Sequence, residues 1–438
     1  MRFLVRRILW HQLFGKKKYA VANDDDGISA THDYIIVFQK TSSFKRQLLL
    51  RTEKQKRRYQ NPDNDPRGQW SSSEYVSSKS KAERPTLWYS IINPKTKQEV
   101  WPDENAVWRY SKEMHEEIVN EERLYWGPNF SYKKPRLKRF LNEIQEGVVP
   151  GTWWPFEDVG HNDEGQKETA EIIGKKVFST PKPVRVINKI LSISTLLNES
   201  DIILDFFAGS ATTAQAVLEL NKEDNGNRKF ILVQLPEPCD ENSEAFKAGY
   251  KTIADISKER IRRVLKKLNA QTEEAKKKKE GELKFDNPTN PVDHASDGFK
   301  VFKLSPSNFK IWRGNDITEE NLVTQLDAFA NPVKEESKTA NMLYELMLKA
   351  GYSLTDTVEA ISILWDGDET GGLCNLNVIA DGELIIVLDN IDGFTIEEIL
   401  ERNPKKLIVL DSLFKGNDQL KTNTVLQMRD AGIDFKTI

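Results

Sequence analysis

The middle of the chain alternates between helical and strand patterns of apolar residues. Apolar positions recur at helical spacing within 183–197, 210–220 and 243–268. Between these helices, 201–205 and 229–234 are short apolar runs of the kind that form buried strands. Strands that alternate with helices at this spacing predict a parallel sheet covered by helices.

A second region with alternating patterns occupies the end of the chain. Before it, 271–290 is rich in Lys, Asn and Pro and is interpreted as a connector between domains. Apolar runs on either side of Asp381-Gly382 predict a β-hairpin, because Asp-Gly favours a tight turn. The elements predicted here are a helix over 341–360, hairpin strands over 377–380 and 383–389, a helix over 396–401 and a strand over 406–411. The chain therefore contains a second, smaller α/β unit.

The composition is that of a polar, folded protein with several domains. The chain has 438 residues, of which 30% are charged and 38% hydrophobic. No apolar run approaches the ~20 residues that a membrane-spanning helix needs, so we expect no membrane association. The two cysteines, Cys239 and Cys374, exclude a disulfide scaffold and fit the reducing cytoplasm. Because the net charge is −3, binding to nucleic acid would have to come from local basic patches.

The most informative segment is the strand-to-helix turn within 203–216. A strand ends in Asp205 and an aromatic residue, small residues follow, and a helix begins near Thr212. A dinucleotide site would require G-x-G-x-x-G and a P-loop would require Gly-Lys-Ser/Thr; the turn has neither, which argues against a nicotinamide-dependent dehydrogenase. S-adenosylmethionine carries a cationic sulfonium and an amino group but no phosphate, so an acid at the strand end suits it. From these residues alone, an ordinary strand-to-helix turn stays an open alternative.

Two motifs in this region are similar to those of a known enzyme family. The segment that starts at Asp205 reads D-x-F-A-G-S-x-T-T-A and resembles the S-adenosylmethionine motif of amino-methylating DNA methyltransferases. The segment 178–187 resembles the T-x-K-P-x-x-L-I segment that packs beside the same cofactor in those enzymes. The resemblance implies S-adenosylmethionine as the cofactor. The residues expected at the cofactor are Thr180, Lys182, Pro183, Asp205, Phe206, Phe207, Gly209, Ser210, Thr212, Gln234 and Glu237.

The resemblance narrows to the modification (Mod) subunit of type III restriction-modification systems. It extends through 61–68, 225–238, 247–263 and 431–438 and covers most of the chain. It implies methyl transfer to the N6 atom of adenine in double-stranded DNA, with a restriction (helicase-nuclease) subunit as partner and a homodimer as the assembly. The implied fold is α/β, with an incomplete Rossmann-like methyltransferase core in permuted order, an inserted recognition domain and a C-terminal α/β domain. The expected boundaries are a remnant of the core at 1–40, the target-recognition region at 41–170, the cofactor-binding half of the core at 171–270, a linker at 271–290 and the C-terminal domain at 291–438.

The catalytic tetrapeptide of that family has no counterpart in this sequence. The family binds the adenine amine with Asp-Pro-Pro-Tyr or a close variant, whose polar groups accept hydrogen bonds and whose aromatic ring stacks on the flipped base. These 438 residues contain no Pro-Pro dipeptide. In the family the tetrapeptide precedes the region where this sequence begins, so we expect an N-terminally truncated core, no catalytic residue and little activity of the chain alone. The alternative is a non-catalytic fragment that binds DNA or assembles with other subunits.

Two residues depart from the family pattern at the cofactor. Ala211 stands where the family has the last glycine of G-S-G, and its methyl group would be unfavourable if φ is positive there. Gln234 ends the second strand where many methyltransferases have an acid for the ribose hydroxyls. Both departures bear on the affinity for the cofactor and leave its identity unchanged.

Two basic clusters are candidates for contacts with DNA. The segment 44–67 contains eight basic and three acidic residues, and 132–139 is a second basic stretch. A solvated basic helix is an open alternative for the first cluster, and the tryptophans between residues 70 and 154 fit a core as well as a stacking surface. The histidines lack metal-ligand spacing, so we expect no metal site. The candidate DNA-binding residues are Lys45, Arg46, Lys56, Arg57, Arg58, Arg67, Lys138 and Arg139.

Overall fold

Two units, Met1–Gly298 and Phe299–Ile438, divide the chain in a computed structural model. The structure describes residues 8–16, 31–197, 199–280, 298–311, 317–330, 332–364 and 373–438. The second half of the connector predicted at 271–290, and parts of the core remnant predicted at 1–40, lie outside the described residues. Each unit is described by itself below.

The first unit combines one long strand pair, several short strands and eight α-helices among its described residues. Its strands are β1 (Ile8–Lys16), β2 (His32–Gln39), β3 (Trp70–Glu74), β4 (Val76–Ser77), β5 (Ile91–Ile92), β6 (Glu99–Val100), β7 (Val107–Trp108), β8 (Leu124–Tyr125), β9 (Arg136–Phe140), β10 (Trp153–Trp154), β11 (Ile202–Asp205) and β12 (Lys229–Leu232). Its α-helices are α1 (Glu53–Lys56), α2 (Lys112–Asn120), α3 (Phe156–Val159), α4 (Asn162–Ile173), α5 (Val184–Ser194), α6 (Thr212–Asp224), α7 (Glu244–Lys247) and α8 (Ile253–Glu280).

A parallel pair of strands and two helices form the part of the first unit that holds the candidate cofactor turn. β11 pairs with β12 in parallel, with Asp205 opposite Leu232. On the inner face of this pair, Ile203 and Phe230 pack against α5 and α6, in one cluster with Leu191 and other apolar residues of those helices. The parallel pairing predicted from the alternating pattern is therefore confirmed.

A second sheet, with the strand order β10-β1-β2, packs against another side of α5. β1 and β2 are antiparallel, and β10 is parallel to β1. Ile35 and Val37 of β2 share an apolar cluster with Trp154 and with Ile190 of α5. The helix α5 is thus apolar on two sides, because each side contacts a different sheet.

The region 41–170 is built from short strands around an aromatic core. Its described strands form the sheets β3-β9-β8, β4-β7 and β5-β6. Tyr75, Trp108 and Trp126 are buried together with Ile91 and other apolar residues. Several tryptophans therefore belong to cores, and large aromatic areas replace the long apolar helices of the rest of the unit. The buried ones are Trp70, Trp108, Trp126 and Trp154, whereas Trp101 and Trp153 are exposed.

The helix predicted over 243–268 consists of the two helices α7 and α8. Gly249 between them has a φ of +93°, a left-handed conformation that interrupts the helix. Thr252 Oγ1 then accepts a hydrogen bond from Asp255 N (3.2 Å), and Asp255 Oδ2 accepts one from Thr252 N (3.0 Å). This reciprocal cap starts α8. Because α8 continues to Glu280, the first ten residues of the connector predicted at 271–290 are helical.

The second unit contains a mixed sheet of five described strands in the order β13-β14-β15-β16-β17. Its strands are β13 (Val358–Leu364), β14 (Leu373–Ile379), β15 (Leu384–Val387), β16 (Lys406–Val409) and β17 (Asp434–Thr437), and its α-helices are α9 (Leu322–Ala330), α10 (Thr339–Ala350), α11 (Gly393–Arg402) and α12 (Asp418–Asp430). The hairpin predicted around Asp381-Gly382 is confirmed as the antiparallel pair β14–β15. The helix predicted over 341–360 is wrong beyond Ala350, because Gly351 ends α10 with a φ of +90° and Val358 begins β13. Among the described residues, every helix is too short or too polar to cross a membrane.

Candidate cofactor site

The turn between β11 and α6 is fixed by the carboxylate of Asp205. Asp205 Oδ1 accepts a hydrogen bond from the backbone N–H of Phe207 (3.0 Å), and Oδ2 accepts one from Thr213 Oγ1 (2.6 Å). A carboxylate oxygen has two lone pairs, so each can accept a further hydrogen bond. The acid is therefore held in a defined orientation at the carboxyl edge of the parallel pair, where α/β folds bind ligands.

Two residues of this turn adopt a left-handed backbone conformation. Gly209 has a φ of +52° and Ala211 a φ of +64°. Ala211, the residue that precedes α6, is fully buried. Glycine tolerates this conformation, but a residue with a Cβ atom is disfavoured by roughly 1–2 kcal/mol. The positive φ that would make the methyl group of Ala211 unfavourable is therefore present.

Gln234, expected at the ribose hydroxyls of the cofactor, forms hydrogen bonds within the turn. Its Oε1 accepts a hydrogen bond from the backbone N–H of Gly209 (2.8 Å), and its Nε2 donates to Leu235 O (3.1 Å). The hydroxyl of Ser257 on α8 donates to Gly209 O. Glu237 is exposed near the end of β12, so its carboxylate is the more accessible acceptor on this side.

Phe178, the first residue of the segment 178–183, lies directly against the turn. The ring of Phe178 is 3.3 Å from the position that a Cβ atom on Gly209 would occupy, so glycine permits this approach. Gly165 permits a similarly close approach between α4 and this segment, because a Cβ atom on Gly165 would lie 2.5 Å from Pro181 O. The structure thus brings together the two segments that the sequence motifs singled out.

The predicted residues within that segment have different surroundings. Thr180 is exposed. Lys182 Nζ forms an ion pair with Asp33 Oδ2 at 2.6 Å, which connects the segment to β2. Pro183, the residue before α5, is buried. The backbone N–H of Val184, the first residue of α5, donates a hydrogen bond to Glu168 Oε2 at 3.0 Å. The carboxyl group of Glu168 is partly buried, and this burial raises its pKa.

Arg260 of α8 is a buried residue of the site that sequence reasoning missed. It is fully buried, and its Nη1 donates to Ser210 Oγ (2.7 Å) and to Thr212 Oγ1 (3.0 Å). Its Nε donates to Gln215 Oε1 at 2.8 Å. The side chains of Ser210 and Thr212, expected at the cofactor, therefore point to Arg260 and fix the turn from beneath. Burial lowers the pKa of Arg260 to about 10, an effect that Glu168 and other acids oppose.

The upper side of the turn is open to solvent. Phe206 is 63% exposed and Phe207 is 90% exposed. Large aromatic side chains are seldom left so exposed on a folded protein. The turn therefore exposes two aromatic rings beside the half-buried carboxylate of Asp205, above a buried polar network that holds the turn in place.

Two of the eight predicted DNA-binding residues belong to an internal ion cluster. Lys138 is buried, and its Nζ lies 2.5 Å from Asp63 Oδ2 and 2.9 Å from Asp65 Oδ2. Arg67 pairs with Asp65 at 2.8 Å and donates to Glu121 O at 2.7 Å. Hydrogen bonds from Arg67 hold the pKa of Asp65 well below its usual range. The expectation that Lys138 and Arg67 contact phosphates is therefore not supported, because their charges are compensated within the fold.

Most of the remaining basic candidates face solvent. Lys45, Arg57 and Arg58 are exposed, and Arg46 is half-buried. Lys56 is exposed and pairs with Glu53 at 3.0 Å within α1. Arg139 is exposed as well, and its Nε donates to Ser73 Oγ at 3.2 Å. These side chains can reach a phosphate without loss of a buried ion pair.

Comparison with known proteins identifies the family. The sequence profile of the DNA methylase family matches residues 3–237, which is more than half of the chain. The chain belongs to the DNA methylase family. Its relatives include the StyLTI Mod subunit of a type III restriction-modification enzyme from Salmonella typhimurium, which is 31% identical over 304 residues that cover 69% of this chain and 41% of the relative. The EcoPI Mod subunit of Escherichia phage P1 is 24% identical over 446 residues, or 92% of this chain and 62% of the relative.

This member of the DNA methylase family spans about two fifths to three fifths of the length of those two relatives. The resemblance to type III Mod subunits that the sequence motifs indicated is confirmed by them. Another relative is the type II methyltransferase M.KpnI of Klebsiella pneumoniae, which is 28% identical over 288 residues. Membership of the DNA methylase family therefore does not by itself specify a type III system.

The expected absence of a metal site stays a prediction for this DNA methylase family member. In the part of the chain that the structure describes, no three His, Cys, Asp or Glu side chains form a group that could hold a metal ion. Burial raises the pKa of Cys239 and raises that of Cys374 to about 11, so both are thiols at neutral pH. Both side chains are buried.

Proposed function

We propose that this chain is the cofactor-binding and DNA-recognition part of a type III Mod methyltransferase that acts on adenine N6 and uses S-adenosylmethionine. The observation that carries the proposal is the contact between the Asp205 turn and the segment 178–183. These are the two segments that resemble the cofactor motifs of the family. Gly209 allows them to approach closely, because it has no Cβ atom. We also propose that the core has the Rossmann-like, permuted arrangement of that family.

The residues of the turn fit S-adenosylmethionine chemically. Asp205 has accepting capacity left for a cationic group, the exposed rings of Phe206 and Phe207 offer apolar area, and Glu237 can accept from ribose hydroxyls. The cofactor supplies an electrophilic methyl group on its sulfonium. Arg260 and Gln234 keep the turn in shape and do not need to touch the cofactor.

The transfer step needs groups that these 438 residues do not contain. The exocyclic amine of adenine is a weak nucleophile, because its lone pair is delocalised into the ring, and the family presents it through a Pro-Pro-aromatic tetrapeptide. We propose that the chain binds the cofactor but transfers no methyl group by itself. The alternative is a non-catalytic fragment of such a system that binds DNA or assembles with its subunits.

Calorimetric titration with S-adenosylmethionine tests this proposal directly. We expect a measurable heat of binding for the wild-type chain and at least a tenfold weaker affinity for Asp205→Ala. Asp201→Ala, just before the same strand, is the matched control, because Asp201 lies at the opposite end of β11 from the turn. An absence of heat at millimolar cofactor would refute cofactor binding and leave the non-catalytic alternative. Methyl transfer to adenine by the purified chain alone would refute the need for a further segment.

The proposed partners are double-stranded DNA, a restriction (helicase-nuclease) subunit and a second copy of the chain, all acting in the cytoplasm. The exposed basic residues Arg57 and Arg58 support the first of these. We expect the double variant Arg57→Glu/Arg58→Glu to weaken DNA binding and to reduce the slope of log affinity against log salt by about 2, since each phosphate contact contributes about 0.9. Fluorescence anisotropy at several salt concentrations measures this slope. An unchanged slope would place the DNA interface elsewhere.

A further inference from the structure

The outward face of β2 is apolar and exposed. Tyr34, Ile36 and Phe38 alternate along the strand and are 58%, 49% and 49% exposed, whereas Ile35 and Val37 between them pack inward. A strand with one solvated face normally presents polar residues to water. The pattern of β2 is instead typical of a strand that is covered on both faces.

The parallel pair β11–β12 has the same property. Ile202 and Leu204 of β11 are 64% and 48% exposed. Ile231, Val233 and Leu235, on β12 and just after it, are 51%, 44% and 66% exposed. Parallel strands occur almost entirely in sheets that are covered on both faces. A pair with one bare apolar face therefore lacks a layer.

Both sheet fragments rest with their inner faces on the same helix. Ile35 of β2 shares an apolar cluster with Ile190 of α5, and Ile203 of β11 shares another with Leu191 of α5. Since the inner faces of both fragments contact α5, their exposed faces lie on the side away from that helix. Each fragment therefore directs one row of exposed apolar side chains away from α5. The two rows are here called together the bare face, which consists of Tyr34, Ile36, Phe38, Ile202, Leu204, Ile231, Val233 and Leu235.

Each fragment also has an open strand edge. β2 pairs with β1 and β11 pairs with β12, and among the described strands no hydrogen-bonded ladder joins β2 to β11. Unpaired N–H and C=O groups at such edges are ready to pair with another strand.

We propose that the bare face and its two open edges are the docking site of a strand-bearing polypeptide segment whose amphipathic helix covers the face. The eight side chains are each about half exposed and present on the order of 700 Å² of apolar surface, close to what one partner contributes to a stable interface. The two type III relatives have chain beyond the matched part, since 41% and 62% of their lengths are covered. That this segment carries the Pro-Pro-aromatic tetrapeptide to the open side of the Asp205 turn rests on the proposed function.

Co-expression tests this docking. The probe is a tagged segment of a type III Mod subunit that contains its Asp-Pro-Pro-Tyr tetrapeptide, produced together with the full 438-residue chain. We expect the wild-type chain to co-purify with the probe and the variant Leu204→Lys/Ile231→Lys to co-purify at least tenfold less. The matched control is Leu304→Lys/Val323→Lys, which changes two exposed apolar residues of the second unit and should co-purify like the wild type.

A second variant guards against misfolding. Tyr34→Lys/Ile36→Lys changes the bare face on the other sheet fragment, and we expect the same loss of co-purification with a thermal midpoint close to that of the wild type. A wild-type chain that does not capture the probe would overturn the proposal, as would face variants that both capture the probe at the wild-type level. Self-association of the wild type that both face variants abolish would also overturn it, because the occupant would then be a second copy of the chain.

Failure of the proposed function has a different signature. Co-purification is measured without cofactor or DNA, so docking can be observed even if the chain shows no heat with S-adenosylmethionine. Docking without methyl transfer by the purified complex would leave the docking site intact and remove the assignment of the tetrapeptide to its occupant.

Discussion

Replacing Arg260 with methionine separates the stability of the core from the geometry of the cofactor turn. The guanidinium of Arg260 donates to the side chains of Gln215, Ser210 and Thr212 at 2.8, 2.7 and 3.0 Å and to Ser210 O at 3.4 Å, and the residue is fully buried. Methionine is long, flexible and apolar, so it fills much of the same space without a donor or a charge. The variant therefore removes the hydrogen bonds beneath the turn while retaining most of the packing.

Two contributions to the free energy of unfolding oppose each other in this variant. Burial lowers the pKa of Arg260 from its ordinary value to about 10, and a decrease of this size corresponds to about 3 kcal/mol by which the fold disfavours the charged guanidinium. The substitution relieves this cost but leaves three buried side-chain acceptors without their donor, at about 1 kcal/mol each. We therefore expect the free energy of unfolding to change by no more than about 1–2 kcal/mol.

The affinity for the cofactor has no such compensating contribution. Ser210 and Thr212 lose the donor that holds them, so we expect the dissociation constant for S-adenosylmethionine to rise at least about tenfold, equivalent to about 1.4 kcal/mol. Calorimetry measures the dissociation constant, and urea denaturation measures the free energy of unfolding. Arg262→Met is the matched control, because Arg262 is exposed on the same helix and its guanidinium is 3.7 Å from Glu259. A folded Arg260→Met variant with an unchanged dissociation constant would refute the reasoning.

Three further substitutions test the local geometry. Ala211→Gly should raise the free energy of unfolding by up to about 1 kcal/mol and tighten cofactor binding, because glycine relieves the left-handed strain. Thermal denaturation measures the change in stability and calorimetry the change in affinity, and a weaker affinity would contradict the prediction. Gly165→Ala should lower that free energy by about 2–3 kcal/mol, because the new methyl group would lie 2.5 Å from Pro181 O; Gly151→Ala, with open space around the site, is its control. Asp65→Asn should lower the thermal midpoint at neutral pH. Because the folded pKa of Asp65 lies below its ordinary value of 3.8, the carboxylate stabilises the fold above pH 3.8 and this is lost on acidification. The two midpoints should therefore converge as the pH falls below 3.8, and a constant difference would contradict this.

Local patterns predicted the part of the fold on which the site depends. The apolar runs at 201–205 and 229–234 correspond to β11 and β12, because short runs of this kind form strands wherever a sheet is available, although one face of this pair is exposed. The helix predicted over 341–360 was wrong in its second half. Its apolar residues were compatible with either structure, and Gly351 together with the pairing of β13 with β14 decided for a strand.

Side-chain partners across long sequence distances were beyond sequence reasoning. Lys138 and Arg67 resembled phosphate ligands, but Lys138 pairs with Asp65 across 73 residues and both charges are compensated. Gln234 resembled a ribose ligand, but its amide oxygen accepts from Gly209 N, 25 residues earlier in the chain. No local signal distinguishes a basic residue at an internal ion pair from one at a phosphate, because both require the same charge.

By itself, the sequence determined the chemistry that is possible at the turn: an acid at the end of a strand, small residues that allow a close approach, and the absence of a Pro-Pro dipeptide. These features are local, because strand, turn and helix starts depend on residues a few positions apart. The tertiary structure decided that Arg260 lies beneath the turn and that two sheet fragments share α5 while leaving an apolar face bare. Those features depend on which elements pack together, and burial of apolar area governs that packing without regard to distance along the chain.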